Sequence, residues 1–228
     1  RSGLLYPALG LSGRTGSAWR QPIYFNLAPN YDLTLEPRLM TQRGLLLGTE
    51  FRYLTERGAG TFDVEVFPSD DLTRDEREEE ANSIPPIPEE NRRKEDRGMF
   101  RFNGRQNLSS LWQARANLAW ISDPRYIEDM SSSLNGISNT SIQSTIGVYG
   151  RGRTWDAGAT ANYWQLGDYL LTDFNLPYNR LPRLYGRWED SFGRWFTAGF
   201  DGDLTRFSHT DSSVDTSPTN VIPDGTRR

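Results

Sequence analysis

Taken two residues at a time, the stretch from Tyr31 to Leu39 sorts itself by chemistry. Leu33, Leu35 and Leu39 fall on one side, and Asp32, Thr34, Glu36 and Arg38 on the other. Side chains alternate across a β-strand with a period of two, so this is a strand that is wet on one face. The alternation recurs as Leu45, Leu47, Phe51 and Tyr53 against Glu50 and Arg52, and as Trp112, Ala114, Ala116, Leu118 and Trp120 against Gln113, Arg115 and Asn117. The repeating segments run to about 9–11 residues, long enough to cross a bilayer at a tilt. A soluble sandwich alternates as well, so what the apolar face touches has to come from turns, length and composition.

Hydropathy does not discriminate. The 228 residues are 36% hydrophobic with a mean hydropathy of −0.69, and no apolar run is long enough for a transmembrane helix. A transmembrane barrel, polar at every second position and in its loops, is missed by such a scan. The chain has no cysteine, which excludes disulfide staples and thiolate metal sites. A net charge of −4, with basic residues spread singly, removes the electrostatic case for nucleic acid. The chain opens on Arg1-Ser2-Gly3 and stops in a turn-like segment, so it is expected to be an internal fragment of a longer protein.

Turn residues divide the chain into about eleven strands: 4–12, 19–28, 31–40, 45–54, 61–67, 99–108, 111–121, 142–150, 154–165, 183–189 and 195–207. Every second connection is short (29–30, 55–60, 109–110, 151–153 and 190–194). The others include the long segments 68–98, 122–141 and 166–182, although 13–18 and 41–44 in that series are short. Short turns on one rim and long loops on the other mark an outer-membrane barrel, and a sandwich has no reason to sort its loops so. The expected fold is therefore all-β, a transmembrane antiparallel β-barrel of which residues 1–228 form one portion, with a charged loop insertion at 68–98. Residues 70–97 carry eleven acids against six bases around Pro85, Pro86 and Pro88. That predicts a solvated, partly disordered loop that the barrel can fold without; the alternative is a patch for divalent cations.

Catalytic and metal chemistry find little purchase. His209 is the only histidine and has no Cys or second His to work with, so it reads as a solvated loop residue. Glu36 with Glu50, or Asp63 with Glu65, could form a glycosidase couple. With Arg38 and Arg52 alongside, they read instead as a ladder of opposite charges paired across strands. No nucleotide loop, nucleophile elbow or zinc spacing occurs. The expectation is no catalytic residue, no cofactor and no metal. Trp19, Tyr24, Phe25, Trp112, Trp120, Trp155, Trp164, Trp188 and Trp195 lie mostly near strand ends, which suits an aromatic girdle.

Pro7 and Pro22 sit inside the first two strands, 15 positions apart, where a ladder donor is required. Proline has no N–H to give, so two such strands suggest a weakly bonded seam, the alternative being an ordinary sandwich edge. The runs that carry these prolines, Arg1 to Gly10 (RSGLLYPALG) and Gln21 to Arg38 (QPIYFNLAPNYDLTLEPR), together with Arg43 to Leu54 (RGLLLGTEFRYL), resemble the start of the barrel domain in the LptD lipopolysaccharide-assembly family. The segment Trp120 to Asp129 (WISDPRYIED) is similar to a loop of that family. The resemblance is dense over 1–54 and thinner to about 207, and the insertion at 70–97 departs from it.

The resemblance implies a barrel of about 26 strands, of which this chain supplies the first eleven or so, in the outer membrane of a Gram-negative bacterium. It implies a translocon rather than an enzyme, one that inserts lipopolysaccharide into the outer leaflet through a lumen and a lateral gate at the first strands. Pro7 and Pro22 would form the gate. Asp32, Glu36, Arg38, Glu50, Arg52, Arg101, Arg105 and Arg115 would face the lumen. The partners implied are lipopolysaccharide, membrane lipids, the plug lipoprotein LptE and, through a missing periplasmic domain, the bridge protein LptA. A passive outer-membrane porin or a soluble carbohydrate-binding β-sandwich are the competing readings, and detergent dependence would separate the sandwich from both.

Overall fold

In the computed structural model, which describes residues 1–130, 141–209 and 225–227, the alternating segments pair into one antiparallel sheet. The first strand is broken into β1 (Gly3–Leu4) and β2 (Ala8–Ser12), and the second into β3 (Gly16–Arg20) and β4 (Ile23–Ala28). Then follow β5 (Tyr31–Met40), β6 (Gly44–Thr55), β7 (Gly58–Phe67), β8 (Arg97–Asn107), β9 (Trp112–Ile121), β10 (Ser141–Arg151), β11 (Trp155–Leu166), β12 (Asn179–Phe192), β13 (Phe196–Ser208) and β14 (Gly225–Arg227). Each strand from β5 to β14 pairs with its sequence neighbours, and β1 and β14 stand at the two ends of the sheet. The segment 179–182, expected to be loop, belongs to β12. The ladder tolerates Pro182 because the register shifts between Arg180 and Arg183, and a bulge is where a sheet can hold a proline.

Register fixes the faces, since residues paired across antiparallel strands share one. Leu33 pairs with Phe51, Pro37 with Leu47 and Leu39 with Leu45; Phe62 pairs with Phe102; Phe102 and Leu118 pair, as do Phe100 and Trp120. This apolar face is uncovered: Leu47, Trp120, Ile146 and Phe200 are 40, 50, 53 and 71% exposed. A sandwich buries that face under a second sheet, and among the described residues there is none. No described helix is long and apolar enough to cross a membrane.

The buried cluster lies on the other face, at the long-loop rim. Met40, Leu46, Phe67, Met99 and Ile121 project there and are capped by Tyr126 and Met130 from the loop after β9. Around this cluster the loops are tied by charge pairs, most of them buried, with Arg14 half-exposed. Arg43, in the turn after β5, grips Asp70, and both side chains are fully buried. Arg97 donates Nε and one Nη to Asp123 at 2.9 and 2.8 Å, and its other Nη to Asp129 at 2.8 Å. Arg93 donates to both oxygens of Asp129 at 2.7 and 3.1 Å and pairs with Glu80. Arg14, in the hairpin of the first two strands, reaches Asp129 at 2.9 Å and Glu76 at 2.8 Å. Arg125 meets Glu80 at 3.1 Å and lies 3.3 Å over the ring of Tyr169.

Five arginines thus face five carboxylates, and charges out of water persist only when so paired. The segment 70–97 is therefore not the solvated, disordered loop expected from its charge density. It begins with the helix α1 (Thr73–Asn82), whose Glu, Arg and Ala favour helix and whose Asp75 and Glu76 suit the positive end of its dipole. Its acids Asp70, Glu76 and Glu80 are taken up by arginines rather than left for cations. No group of three or more potential metal ligands forms among the described residues.

Two outcomes follow from these pairings. Arg97→Met strands Asp123, while Asp129 keeps Arg93 and Arg14, and removing one partner of a buried pair costs about 3–5 kcal/mol. The full-length protein carrying it should lose its folded, fast-migrating gel band at clearly lower temperature, with Arg97→Met/Asp123→Leu restoring part of the loss. Burial pushes the Asp129 carboxyl up, but the hydrogen bonds and charges of Arg93 and Arg97 outweigh burial and hold it well below its ordinary 3.8. A carboxylate so depressed contributes stability above that value and loses it as the pH falls below about 4. Proteolysis within the rim segments 70–96 and 122–130 should accelerate between pH 5 and about pH 3 while the strands stay protected.

Candidate functional site

The ladder is continuous from β5 to β9 and interrupted at the sheet's first edge. β5 and β6 pair at ten consecutive positions, whereas β1 meets β4 at two and β2 meets β3 at five. Leu4 pairs with Ile23 and Ala8 with Arg20, so residues 5–7 stand opposite residues 21–22, two against three, which is a bulge at the two prolines. The N–H and C=O of one strand residue point to the same neighbour. Gln21 donates its N–H to the Pro37 carbonyl at 3.1 Å, so its backbone faces the third strand and that of Pro22 faces the first. Leu5 indeed donates to the Pro22 carbonyl at 2.9 Å, but proline cannot return the bond. Ala8 pairs with Arg20 and faces the second strand, which turns the amide position of Pro7 toward the open edge.

Pro37 removes a third donor. It stands opposite Gln21 and accepts from it, with no N–H to give back. Pro7, Pro22 and Pro37 follow at intervals of 15 residues, so the signal was visible in the sequence, where only the first two were singled out. Gln21 was also passed over. Its side-chain Nε2 donates to the Leu5 carbonyl at 2.8 Å and to the Pro22 carbonyl at 3.1 Å.

The eight charged residues expected to act together do share one face, opposite the leucines. Asp32 pairs with Arg52, joined by two bonds of 2.8 and 3.0 Å. Arg52 also lies 3.4 Å from Glu50, and Arg20 lies 3.4 Å from Glu36. Arg38 pairs with Leu46 in the ladder. Asp63 stands opposite Arg101 on one side, as a ladder of opposite signs requires, but opposite Glu50 on the other, and Arg105 stands opposite Arg115. Alternation does not set signs, so like charges can meet. Here Arg115 turns to the ring of Tyr149, 5.1 Å away, and to Gln113, 2.5 Å from its Nε. The face continues through Arg183 and Asp203, 2.6 Å apart. Such a surface offers donors and acceptors of both signs, suited to sugar hydroxyls and phosphates rather than to acyl chains.

The aromatics divide by the same register. Trp19, Phe25, Trp112, Trp120, Trp155 and Trp188 lie on the apolar face, and Trp112 and Trp155 sit 5.5 Å apart where β9 and β11 begin. Tyr24 and Trp164 belong to the charged face and leave the expected girdle. Trp195 is in the turn before β13. His209, read as a solvated loop residue, is half-buried; its Nε2 lies 2.8 Å from the Leu176 carbonyl and its ring packs on Tyr178.

Comparison with known proteins agrees with this geometry. The family model described as LptD, LPS transport system D, matches residues 95–227, more than half of the chain. The LPS-assembly protein LptD of Xanthomonas campestris pv. campestris (strain 8004) is 48% identical over 212 residues, covering 92% of this chain and 24% of its own length. Its counterpart in Xanthomonas oryzae pv. oryzae (strain MAFF 311018) is 46% identical over 224 residues, 98% of this chain and 25% of its own. That of Xylella fastidiosa (strain Temecula1 / ATCC 700964) is 47% identical over 213 residues, 93% and 24%. The chain thus spans about a quarter of the length of these curated relatives. With its one sheet, its uncovered apolar face and these matches, the chain belongs to the LptD family, and its strands are a portion of the β-barrel that membership implies.

Proposed function

We propose that this chain forms the first strands of an outer-membrane translocon that delivers lipopolysaccharide to the outer leaflet, with a lateral gate at the edge holding Pro7 and Pro22. The observation that carries the reading is that at this edge two successive strands are each split in two at a proline, whereas β5 to β9 pair without interruption. Backbone groups in hydrocarbon have no water to turn to, so a barrel wall that lacks donors is a costly place to save hydrogen bonds. A wall meant to open is the exception. The missing donor of Pro7 weakens bonding across the free edge, and that of Pro22 softens the first strand's hold on the second. Each net bond not made removes about 0.5–1.5 kcal/mol from the cost of parting the wall.

The two faces divide the cargo. Acyl chains leave sideways into the bilayer, while Asp32, Glu36, Arg38, Glu50, Arg52, Arg101, Arg105 and Arg115 line a hydrated lumen for the sugars. The role is transport, not catalysis, and the energy for it comes from elsewhere in the assembly. On this reading the plug lipoprotein LptE and the bridge protein LptA are partners of the whole protein rather than of these strands. A passive porin has the charged lumen but gives no role to prolines in paired strands.

The test is made in the full-length protein with Pro7→Ala, Pro22→Ala and the pair, each of which returns an N–H to the ladder. Cross-linking of lipopolysaccharide in transit and its appearance at the surface are measured at matched barrel abundance. Delivery should slow in each single variant and further in the double one. Undiminished delivery in the double variant would remove the gate from these prolines, and a loss that follows lost barrel would assign them to folding.

A further inference from the structure

Gln21 is out of place by pattern. The register puts it on the apolar face, between Trp19 and Ile23 on its own strand and opposite Pro37, whose next partner is Leu47. A primary amide there costs free energy unless both of its N–H groups are bonded. Both are: Nε2 lies 2.8 Å from the Leu5 carbonyl and 3.1 Å from the Pro22 carbonyl. The first of these is the acceptor that the N–H of an ordinary residue at position 22 would take, because Leu5 and position 22 are the pair that exchange backbone bonds.

We propose that Gln21 is the latch of this seam, supplying from its side chain the donor that Pro22 denies Leu5. The inference rests on the gate reading and adds how the gate is held closed. A backbone donor is fixed in the ladder, and breaking its bond moves the strand. A side-chain donor lets go by rotating about its own χ angles, so the first strand can release at residues 5–7 while the second keeps its bonds to the third. The Gln21 N–H stays on Pro37 in either state. The latch thus reconciles two demands that conflict at this edge: a satisfied Leu5 carbonyl when the wall is shut, and one backbone bond instead of two to rupture between Leu5 and Pro22 when it opens.

The decisive feature is conditional. If Gln21 stands in for the Pro22 donor, it matters only while proline is there. The experiment measures hydrogen–deuterium exchange over residues 3–10 in the full-length protein for Gln21→Met, Pro22→Ala and the double variant, with residues 44–55 as the internal control. Methionine keeps the length of the side chain, has no donor and suits an apolar face. Gln21→Met should speed exchange at 3–10 by about two- to tenfold, what one net hydrogen bond supports. In the Pro22→Ala background the same change should alter it less than twofold, the backbone donor having returned. Equal acceleration in both backgrounds, or none with proline in place, overturns the latch. Should Gln21→Met fail to assemble, recovery of assembly by Pro22→Ala supports the proposal and continued failure overturns it. The gate reading stands or falls separately: lipopolysaccharide delivery that ignores Pro7→Ala/Pro22→Ala removes the gate, while conditional exchange would still identify Gln21 as the substitute donor.

Discussion

A peptide carbonyl or N–H in hydrocarbon has no solvent to bond, and this one constraint orders the whole sheet. It demands that each strand find a neighbour on both sides, so the long strands from β5 to β13 pair with both sequence neighbours. It leaves side chains free to sort by face, leucine and tryptophan one way, arginine and carboxylate the other. It also makes every proline in a strand conspicuous. Three of them, at Pro7, Pro22 and Pro37, deny a donor in turn to the open edge, to the first strand and to the second. The sheet answers the second of these with a glutamine amide.

At the long-loop rim the same physics of unmet polar groups takes another form. Loops over a barrel mouth carry little apolar surface, and the small cluster under Tyr126 and Met130 cannot anchor them alone. The arginine–carboxylate network joins segments far apart in sequence: the hairpin of Arg14, the turn of Arg43, the segment with Arg93 and Arg97, and the loop with Asp123 and Asp129. Directional, bidentate pairs of this kind specify geometry more than they add net stability. A rim so fixed sets the mouth of the barrel without a hydrophobic lid.

The fold was legible because its signal has a period of two and repeats. Faces read from Leu33 to Leu39 and from Trp112 to Trp120 hold in the pairing, since a slip of one residue would turn every arginine into the apolar side. What the sequence hid was long-range. Nothing local tells that Asp70 meets Arg43 or that Asp129 meets Arg14, Arg93 and Arg97, so a segment dense in charge read as solvated when its partners lay elsewhere in the chain. Nor does alternation set charge sign, which is why Arg105 could face Arg115. Gln21 was hidden for a related reason: its role depends on which neighbour each backbone faces, and that follows only from register.

The claim under all of this is that one face of the sheet touches lipid and the other water. Adjacent residues Glu50 and Phe51 on β6 test it most directly, since the pleat sends them to opposite faces. Single cysteines replacing each in turn, in the full-length protein embedded in a bilayer, would be treated with a membrane-impermeant thiol reagent. The account predicts ready labelling at position 50 and protection at position 51. Equal labelling at both, or the reverse order, would contradict it.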